Sequence, residues 1–135
     1  MKELAQRLSK RQNESKKLPD LSFLIYANKA LERFHYCGLP QAYAEFLKEC
    51  NGFQGEGCRL YGIYPEQGNF NDIVNANRGN GDFSNKTRII LGENEFDYLI
   101  YDKAKEEYQI VDKNDKEVLE EYNDLEEAII HILKL

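Results

Sequence analysis

The feature that most constrains the fold is a series of four strand-like segments in the second half of the chain, separated by short polar turns. The segments are residues 87–91, 96–101, 107–111 and 117–119, and most of them are rich in β-branched, aromatic or leucine side chains. Successive strands that are joined by tight turns pair antiparallel with their neighbours in sequence. The pattern therefore predicts a β-meander, whose first strand should stop at Gly92.

The N-terminal part of the chain has the periodicity of helices. The basic segment 1–17 carries a thin apolar stripe, which is compatible with a docked helix or with a frayed tail. A second helix should run from about Asp20 to Tyr36, and Gly38 should end it, because glycine readily adopts the left-handed conformation that closes many helices. We therefore separate residues 1–17 from a domain that spans residues 18–135.

Two further helices lie on either side of the strand-like segments. The first opens at Pro40, since proline lacks the N–H that the first turn leaves unpaired, and the pair Asn51-Gly52 should end it. Its apolar side chains recur at i, i+3, i+4 and i+7, at Tyr43, Phe46, Leu47 and Cys50. The last helix should run over about residues 125–133, with Asp124 as its N-cap.

The region between the third helix and the meander is less regular. Residues 58–64 are rich in β-forming side chains and should form a strand that ends at Pro65. Residues 66–86 hold six asparagines, and they should form a long ordered loop with one short strand or helical turn near residues 72–75. The whole pattern predicts a single α+β domain, in which N-terminal helices and a C-terminal helix pack against a central, mostly antiparallel sheet of about five or six strands.

The charge balance excludes some classes of partner. The net charge is −6, and residues 49–135 alone carry nine basic and nineteen acidic side chains. This balance argues against nucleic acid as the main partner. An acidic surface can attract a basic protein, or it can simply keep the chain soluble. No apolar run approaches the ~18 residues of a membrane span, and the N-terminus has no signal-peptide core, so we expect a cytoplasmic protein.

Residues that usually carry catalysis or bind metals are sparse. The three cysteines, Cys37, Cys50 and Cys58, form no C-x-x-C pair, and His35 and His131 lie far apart in sequence. Zinc sites need closely spaced ligand pairs, and a nucleophile needs a base within reach. We predict no catalytic residue, no metal site and no cofactor. A small enzyme built on His35 and a cysteine or carboxylates is the alternative.

Aromatic side chains are a better functional clue. The chain has nine tyrosines, seven phenylalanines and no tryptophan. Strand alternation puts Tyr98 on one face of the sheet and Tyr101 on the other, so some tyrosines should reach the outer surface. There a ring with a polar tip suits protein binding, although the same residues can equally line the edge of the core with their hydroxyls in water.

The order of these segments resembles the SUKH superfamily, which includes fungal cell-wall-assembly regulators and many bacterial immunity proteins. The most specific part of the resemblance is the pattern LP-x-x-Y-x-x-FL…NG. The later blocks agree with the family in order and spacing. The matching blocks are residues 39–52, 60–63, 89–92, 98–102, 108–112 and 125–129, and the resemblance runs from about Leu18 to the C-terminus.

The resemblance implies an α+β fold and no catalysis. The bacterial members are largely immunity proteins that neutralise a cognate toxin, often a nuclease, from a polymorphic or contact-dependent toxin system. We therefore expect a toxin domain with a basic surface as the partner, no nucleic acid or membrane, and a monomer or weak dimer. The alternative is an intracellular adaptor or regulator without a toxin partner. The candidate partner-binding residues are Tyr64, Phe70, Asp72, Asp82, Phe83, Tyr98 and Tyr101.

Overall fold

The structure, a computed structural model, describes residues 1–11, 18–65 and 69–135. These residues form five helices and six strands, which confirms the predicted α+β class. The helices are α1 (Lys2–Arg11), α2 (Leu21–Arg33), α3 (Gln41–Glu49), α4 (Ile73–Gly79) and α5 (Leu125–Leu133). The strands are β1 (Phe53–Gly55), β2 (Cys58–Leu60), β3 (Arg88–Asn94), β4 (Asp97–Asp102), β5 (Glu107–Asp112) and β6 (Val118–Tyr122).

The six strands form one sheet in the order of the sequence, and every neighbouring pair is antiparallel. This confirms the predicted meander. Strand β1, which forms a hairpin with β2, was not among the predicted strands. The hairpin closes at Glu56 and Gly57, and Gly57 has a φ of 71°, which glycine adopts without strain.

Alternate residues along each strand divide the sheet into two faces. We call the first the α5 face: it carries Leu99 and Tyr122, and the Tyr122 hydroxyl lies 2.7 Å from Nδ1 of His131 in α5. We call the second the α4 face: it carries Tyr98, whose hydroxyl donates to Oδ1 of Asn80 just after α4 (2.9 Å). Both faces are thus covered, which explains why most positions of β4 and β5 are buried.

The N-terminal helix α1 belongs to the same core. Its apolar stripe of Leu4, Ala5 and Leu8 is buried, and α1 packs against α3. An ion pair of 3.8 Å between Lys2 Nζ and Glu49 Oε1 spans the two helices at the surface. The remainder of the segment that we expected to be a helix or tail, residues 12–17, lies outside the described residues.

The end of α2 differs from the prediction. The helix stops at Arg33, and His35, with a φ of 66°, takes the left-handed conformation that we expected of Gly38. The Tyr36 N–H donates to the Leu31 carbonyl (2.9 Å) and the His35 N–H donates to the Glu32 carbonyl (2.9 Å). This pattern of two reversed bonds is a Schellman motif, so His35 closes a helix.

Two strand boundaries also differ from the prediction. Strand β2 ends at Leu60 and not at Tyr64, while β3 continues through Gly92 to Asn94. The register shifts between Ile90 and Gly92, as in a β-bulge. A Cβ atom at Gly92 would lie 2.6 Å from the Arg59 carbonyl oxygen, so glycine there allows β2 to approach and does not end the strand.

Candidate protein-binding site

Residues 61–64, which follow β2, lie outside every strand, yet each of their backbone N–H groups donates a hydrogen bond. Four successive N–H groups donate to four different acceptors, which come from β3, from the segment before α4 and from two side chains. The donors and acceptors are Tyr61 to Leu91 O (2.9 Å), Gly62 to Asn71 O (2.9 Å), Ile63 to Asn51 Oδ1 (2.7 Å) and Tyr64 to Asp72 Oδ1 (2.8 Å). Two backbone carbonyls and two side chains thus accept the hydrogen bonds that a neighbouring strand would accept in a regular ladder, and they hold the segment in place.

Asp72 connects this segment to α4. Its second carboxylate oxygen accepts the N–H groups of Val74 and Asn75 at 3.1 Å each, which makes it the N-cap of α4. Asp72 is only 1% exposed, and burial raises its pKa while the three N–H donors oppose that rise. This corrects the expectation that Asp72 contacts a partner, because its carboxylate is buried and used within the chain.

Asn77 fixes α4 to the sheet. Its Oδ1 accepts the Ile90 N–H (2.7 Å) and the Ser84 hydroxyl (2.6 Å), and its Nδ2 donates to the carbonyls of Ile73 (2.9 Å) and Ile90 (3.0 Å). The buried amide thus uses its full bonding capacity. Since Ile90 lies beside the bulge of β3, Asn77 occupies the position at which the regular ladder is interrupted.

A cleft of about 680 Å³ lies between α4 and the α4 face of strands β2 to β4. Ion pairs lie at the base of the cleft: Arg59 Nε lies 3.6 Å from one carboxylate oxygen of Glu93, and Lys113 Nζ lies 3.5 Å from the other. Burial and the charge of Glu93 raise the pKa of Tyr61. The cleft is lined by Arg59, Tyr61, Asn69, Phe70, Asn75, Ala76, Arg78, Gly79, Asn80, Glu93 and Tyr98.

The rim of the cleft carries the most exposed aromatic side chain of the described residues. Phe70 is 82% exposed. The guanidinium of Arg78, which also lines the cleft, lies 4.3 Å from the ring centre of Phe34. Asp82 follows α4 outside the cleft lining; it is also exposed, and its carboxylate lies 3.7 Å from Lys116 Nζ. The rim therefore presents an aromatic ring and charged groups to solvent around a preformed depression.

Two of the predicted residues lie beneath this surface. Phe83 and Tyr98 are buried, and their rings pack edge to face with centres 4.7 Å apart. Lys113 Nζ lies 4.9 Å from the centre of the Tyr98 ring, and Lys116 Nζ lies 5.6 Å from that of Phe83. Both aromatics thus support the α4 face, with lysines stacked over them.

The two remaining predicted residues occupy different places. Tyr64 is half-buried, its hydroxyl donates to the Asn51 carbonyl, and burial raises its pKa to about 12. Tyr101 lies on the α5 face, where its ring packs against Tyr108 with centres 5.4 Å apart. Tyr101 thus lies on the opposite face of the sheet from Tyr98, as strand alternation predicted, and it is remote from the cleft that Phe70 borders.

Sequence reasoning missed the charged floor of the cleft. Arg59 lies in β2, Glu93 in β3 and Lys113 in the turn after β5, and no local pattern links them. Arg59 lies opposite Glu93 in the register of β2 and β3. The sequence does not reveal this register, so the pair could be recognised only once the register was known.

Two of the three cysteines lie in environments that disfavour the reactive thiolate form. Burial raises the pKa of the Cys37 thiol and of the Cys58 thiol, whereas an active cysteine needs a lowered pKa. His35 is exposed in the turn after α2. Over residues 1–11, 18–65 and 69–135, no three His, Cys, Asp or Glu side chains converge in a way that could hold a metal ion. In the same ranges no helix has the length and apolarity that crossing a membrane requires.

The fold and the cleft define an α+β domain of the SUKH type, a class whose members are generally non-catalytic binding modules. The model of the SMI1/KNR4 family (SUKH-1) matches residues 27–131, so the chain belongs to this family, and the predicted superfamily is confirmed. No curated protein matches the chain significantly. The family match begins inside α2 and ends inside α5, so it includes the sheet and the cleft.

Proposed function

We propose that this protein is a bacterial immunity protein that binds and neutralises a cognate toxin domain. Membership of the SUKH-1 family supports a protein partner. The net charge of −6 supports a partner with a basic surface. A nuclease is the first candidate for the toxin, because a protein that binds nucleic acid needs a basic surface that an acidic protein can cover.

The observation that carries the proposal is the fixed exposure of Phe70. The residues on either side hold the backbone in place: the Asn71 N–H donates to Asn69 Oδ1 (2.9 Å), and Asn75 Nδ2 donates to the Asn69 carbonyl (3.1 Å). Arg59 further holds Asn71 through a bond of 3.2 Å. A large aromatic side chain on a preorganised backbone loses little entropy on binding, so it is a suitable anchor for a protein partner.

The other predicted residues take different roles in this proposal. Phe70 and Asp82 contact the toxin directly, and Tyr64 contributes its exposed edge. Phe83 and Tyr98 act from below by supporting the surface. Asp72 positions the segment through its hydrogen bonds, and Tyr101 contributes only if the toxin also reaches the α5 face. The proposed contact surface therefore consists of Phe70, Asp82 and the exposed part of Tyr64.

The test begins with affinity capture of the tagged protein from its native host and identification of its partners by mass spectrometry. We expect one stoichiometric partner with a C-terminal toxin domain, and we expect co-expression with that toxin to restore growth. Several housekeeping proteins, or a partner without toxic activity, would contradict the immunity function and favour the adaptor alternative.

Matched variants then test the surface. Phe70→Ala should lose protection against the toxin, with binding weakened by about 2 kcal/mol as for a central aromatic anchor. The control is Phe96→Ala, which removes a ring that is 60% exposed in the turn between β3 and β4. Asp82→Lys should weaken binding as well, mainly by slowing association. Equal protection by the Phe70 and Phe96 variants would contradict the proposed surface but not the immunity function.

A further inference from the structure

The sheet has one open edge of useful length. Strand β6 pairs only with β5, and no other strand of the described residues covers its outer side. Four of its five positions are exposed, including Val118 (39%) and Leu119 (48%). Such an edge presents a row of free backbone donors and acceptors to which a further strand can add. The opposite edge, β1, has only three residues.

Acidic side chains flank this edge on both faces of the sheet. On the α4 face, Glu121 lies beside Glu107 of β5, and the hydrogen bond and charge of Glu107 raise the pKa of Glu121. On the α5 face, burial raises the pKa of Tyr122, and the charges of Glu120 and of Glu127 in α5 raise it further. Lys105, at 3.9 Å from Glu121, is the one lysine of the described residues in an ion pair with a glutamate of β6.

The charges decide what can occupy the edge. A second copy of the chain would bring its own Glu120 and Glu121 against the same residues, and like charges that face each other across strands are destabilising. The same glutamates therefore prevent self-association and favour a basic occupant. Basic side chains on both faces of an added strand would meet Glu121 on one face and Glu120 on the other, because successive strand residues point to opposite faces.

We propose that the open edge of β6 binds an extended, lysine- or arginine-rich segment of a protein partner, which adds to the sheet as a further antiparallel or parallel strand. The exposed Val118 and Leu119 contact the aliphatic parts of its basic side chains. This inference rests on the proposed function, since it names the part of a basic toxin that the protein would hold.

The test uses short, end-blocked peptides and the isotope-labelled full chain, observed by nuclear magnetic resonance. The first peptide contains lysine and threonine, which favours strands. The second has the same lysines with prolines in place of threonines, so it keeps the charge but cannot form a regular ladder. The third has glutamates in place of the lysines. We expect only the first peptide to slow amide exchange in β6, and to bind at least about tenfold more tightly than the other two.

Charge-reversal variants locate the site. The double change Glu120→Lys and Glu121→Lys should weaken binding of the lysine–threonine peptide by about tenfold. The control, Glu56→Lys with Glu95→Lys, makes the same change in net charge at two exposed turns away from β6 and should leave the affinity within about threefold. All four positions are exposed, and far-ultraviolet circular dichroism checks that both variants fold.

Several results would overturn the inference. Equal affinity for the lysine–proline peptide would show that charge alone attracts the peptide, without strand addition. Spectral changes outside β6, or equal weakening by the two double variants, would place binding elsewhere. The peptides test the β6 edge without the toxin. If they do not bind, the inference about β6 is wrong but the immunity function is not contradicted. If the toxin does not bind while the peptide does, the immunity function is contradicted but strand addition at β6 is not.

Discussion

Two regions of this protein are held together by different kinds of interaction. In β4 and β5, backbone ladders join apolar residues that are covered on both faces of the sheet. In residues 61–64 and 69–84, buried polar side chains bond the backbone instead, through Asn51, Asp72 and Asn77. The first region gains its stability mainly from removing apolar surface from water, whereas the second depends on a few hydrogen bonds that are costly to leave unmade.

The difference explains where the candidate surface lies. Ladders and helices present repetitive surfaces, while a segment bonded through individual side chains can hold an irregular shape such as the exposed Phe70 and the adjoining cleft. The comparison predicts that apolar truncation damages the first region most, and that loss of a single polar group damages the second.

The largest effect is expected in the ladder region. Ile110→Ala should lower the free energy of unfolding by about 2–5 kcal/mol, because Ile110 is fully buried and the change leaves a cavity. Urea denaturation measures the effect, and Leu119→Ala is the control, since Leu119 is half exposed in β6. A loss below about 1 kcal/mol for Ile110→Ala would show that the core is not packed as described.

In the side-chain-bonded region, Asn77→Ala should cost about 3 kcal/mol. The change leaves the Ile90 N–H and the carbonyls of Ile73 and Ile90 without their partner in a buried place. The comparison variant is Asn123→Ala, which removes an amide at an exposed position before α5. In thermal and urea unfolding, the Asn77→Ala protein should be clearly less stable than the Asn123→Ala protein. Similar stabilities of the two variants would contradict the role given to Asn77.

A substitution at Gly62, which is closely packed, should lower the stability by a somewhat smaller amount. A Cβ atom at Gly62 would lie 2.6 Å from both the carbonyl oxygen and Oδ1 of Asn51. Gly62→Ala should therefore cost about 1–3 kcal/mol through displacement of Asn51. Gly79→Ala provides the control, because no atom would meet a Cβ at the last residue of α4. A Gly62→Ala protein as stable as the Gly79→Ala protein would mean that the segment can move away freely.

The smallest effect concerns the cap of α5. Asp124 accepts the Glu126 N–H (3.1 Å), so Asp124→Ala should cost about 1 kcal/mol. Asp124→Asn should cost much less, since asparagine is an equally good N-cap. If both substitutions lowered the melting temperature equally, the effect of Asp124 would come from its charge and not from the capping bond.

Prediction from sequence succeeded where a regular period marks the structure. The meander, the buried face of α3 and the span of α5 all follow from apolar spacing, and α5 begins and ends at the predicted residues. Prediction failed where individual contacts, and not a regular period, decide the structure. The end of β2 at Leu60 and the left-handed His35 depend on contacts that have no sequence period.

The candidate site was predictable to a similar degree. An aromatic residue and an acidic residue in an asparagine-rich loop indicated exposed positions, and Phe70 and Asp82 are exposed. Asp72 has the same local character as Asp82, yet it is buried because it caps α4 and accepts the Tyr64 N–H at the same time. Only the three-dimensional arrangement distinguishes these two aspartates.

The central claim is that residues 61–64 and 69–84, which include Phe70, are preorganised by bonds from side chains. Amide hydrogen exchange of the free protein tests this claim most directly. The informative amides are those of Ile63 and Tyr64, which donate to Asn51 and Asp72 and lie outside every strand. Our account predicts that they exchange as slowly as the ladder amides of β4 and β5. Exchange as fast as in the exposed turn of residues 113–116 would contradict it, because Phe70 would then be presented by a mobile loop.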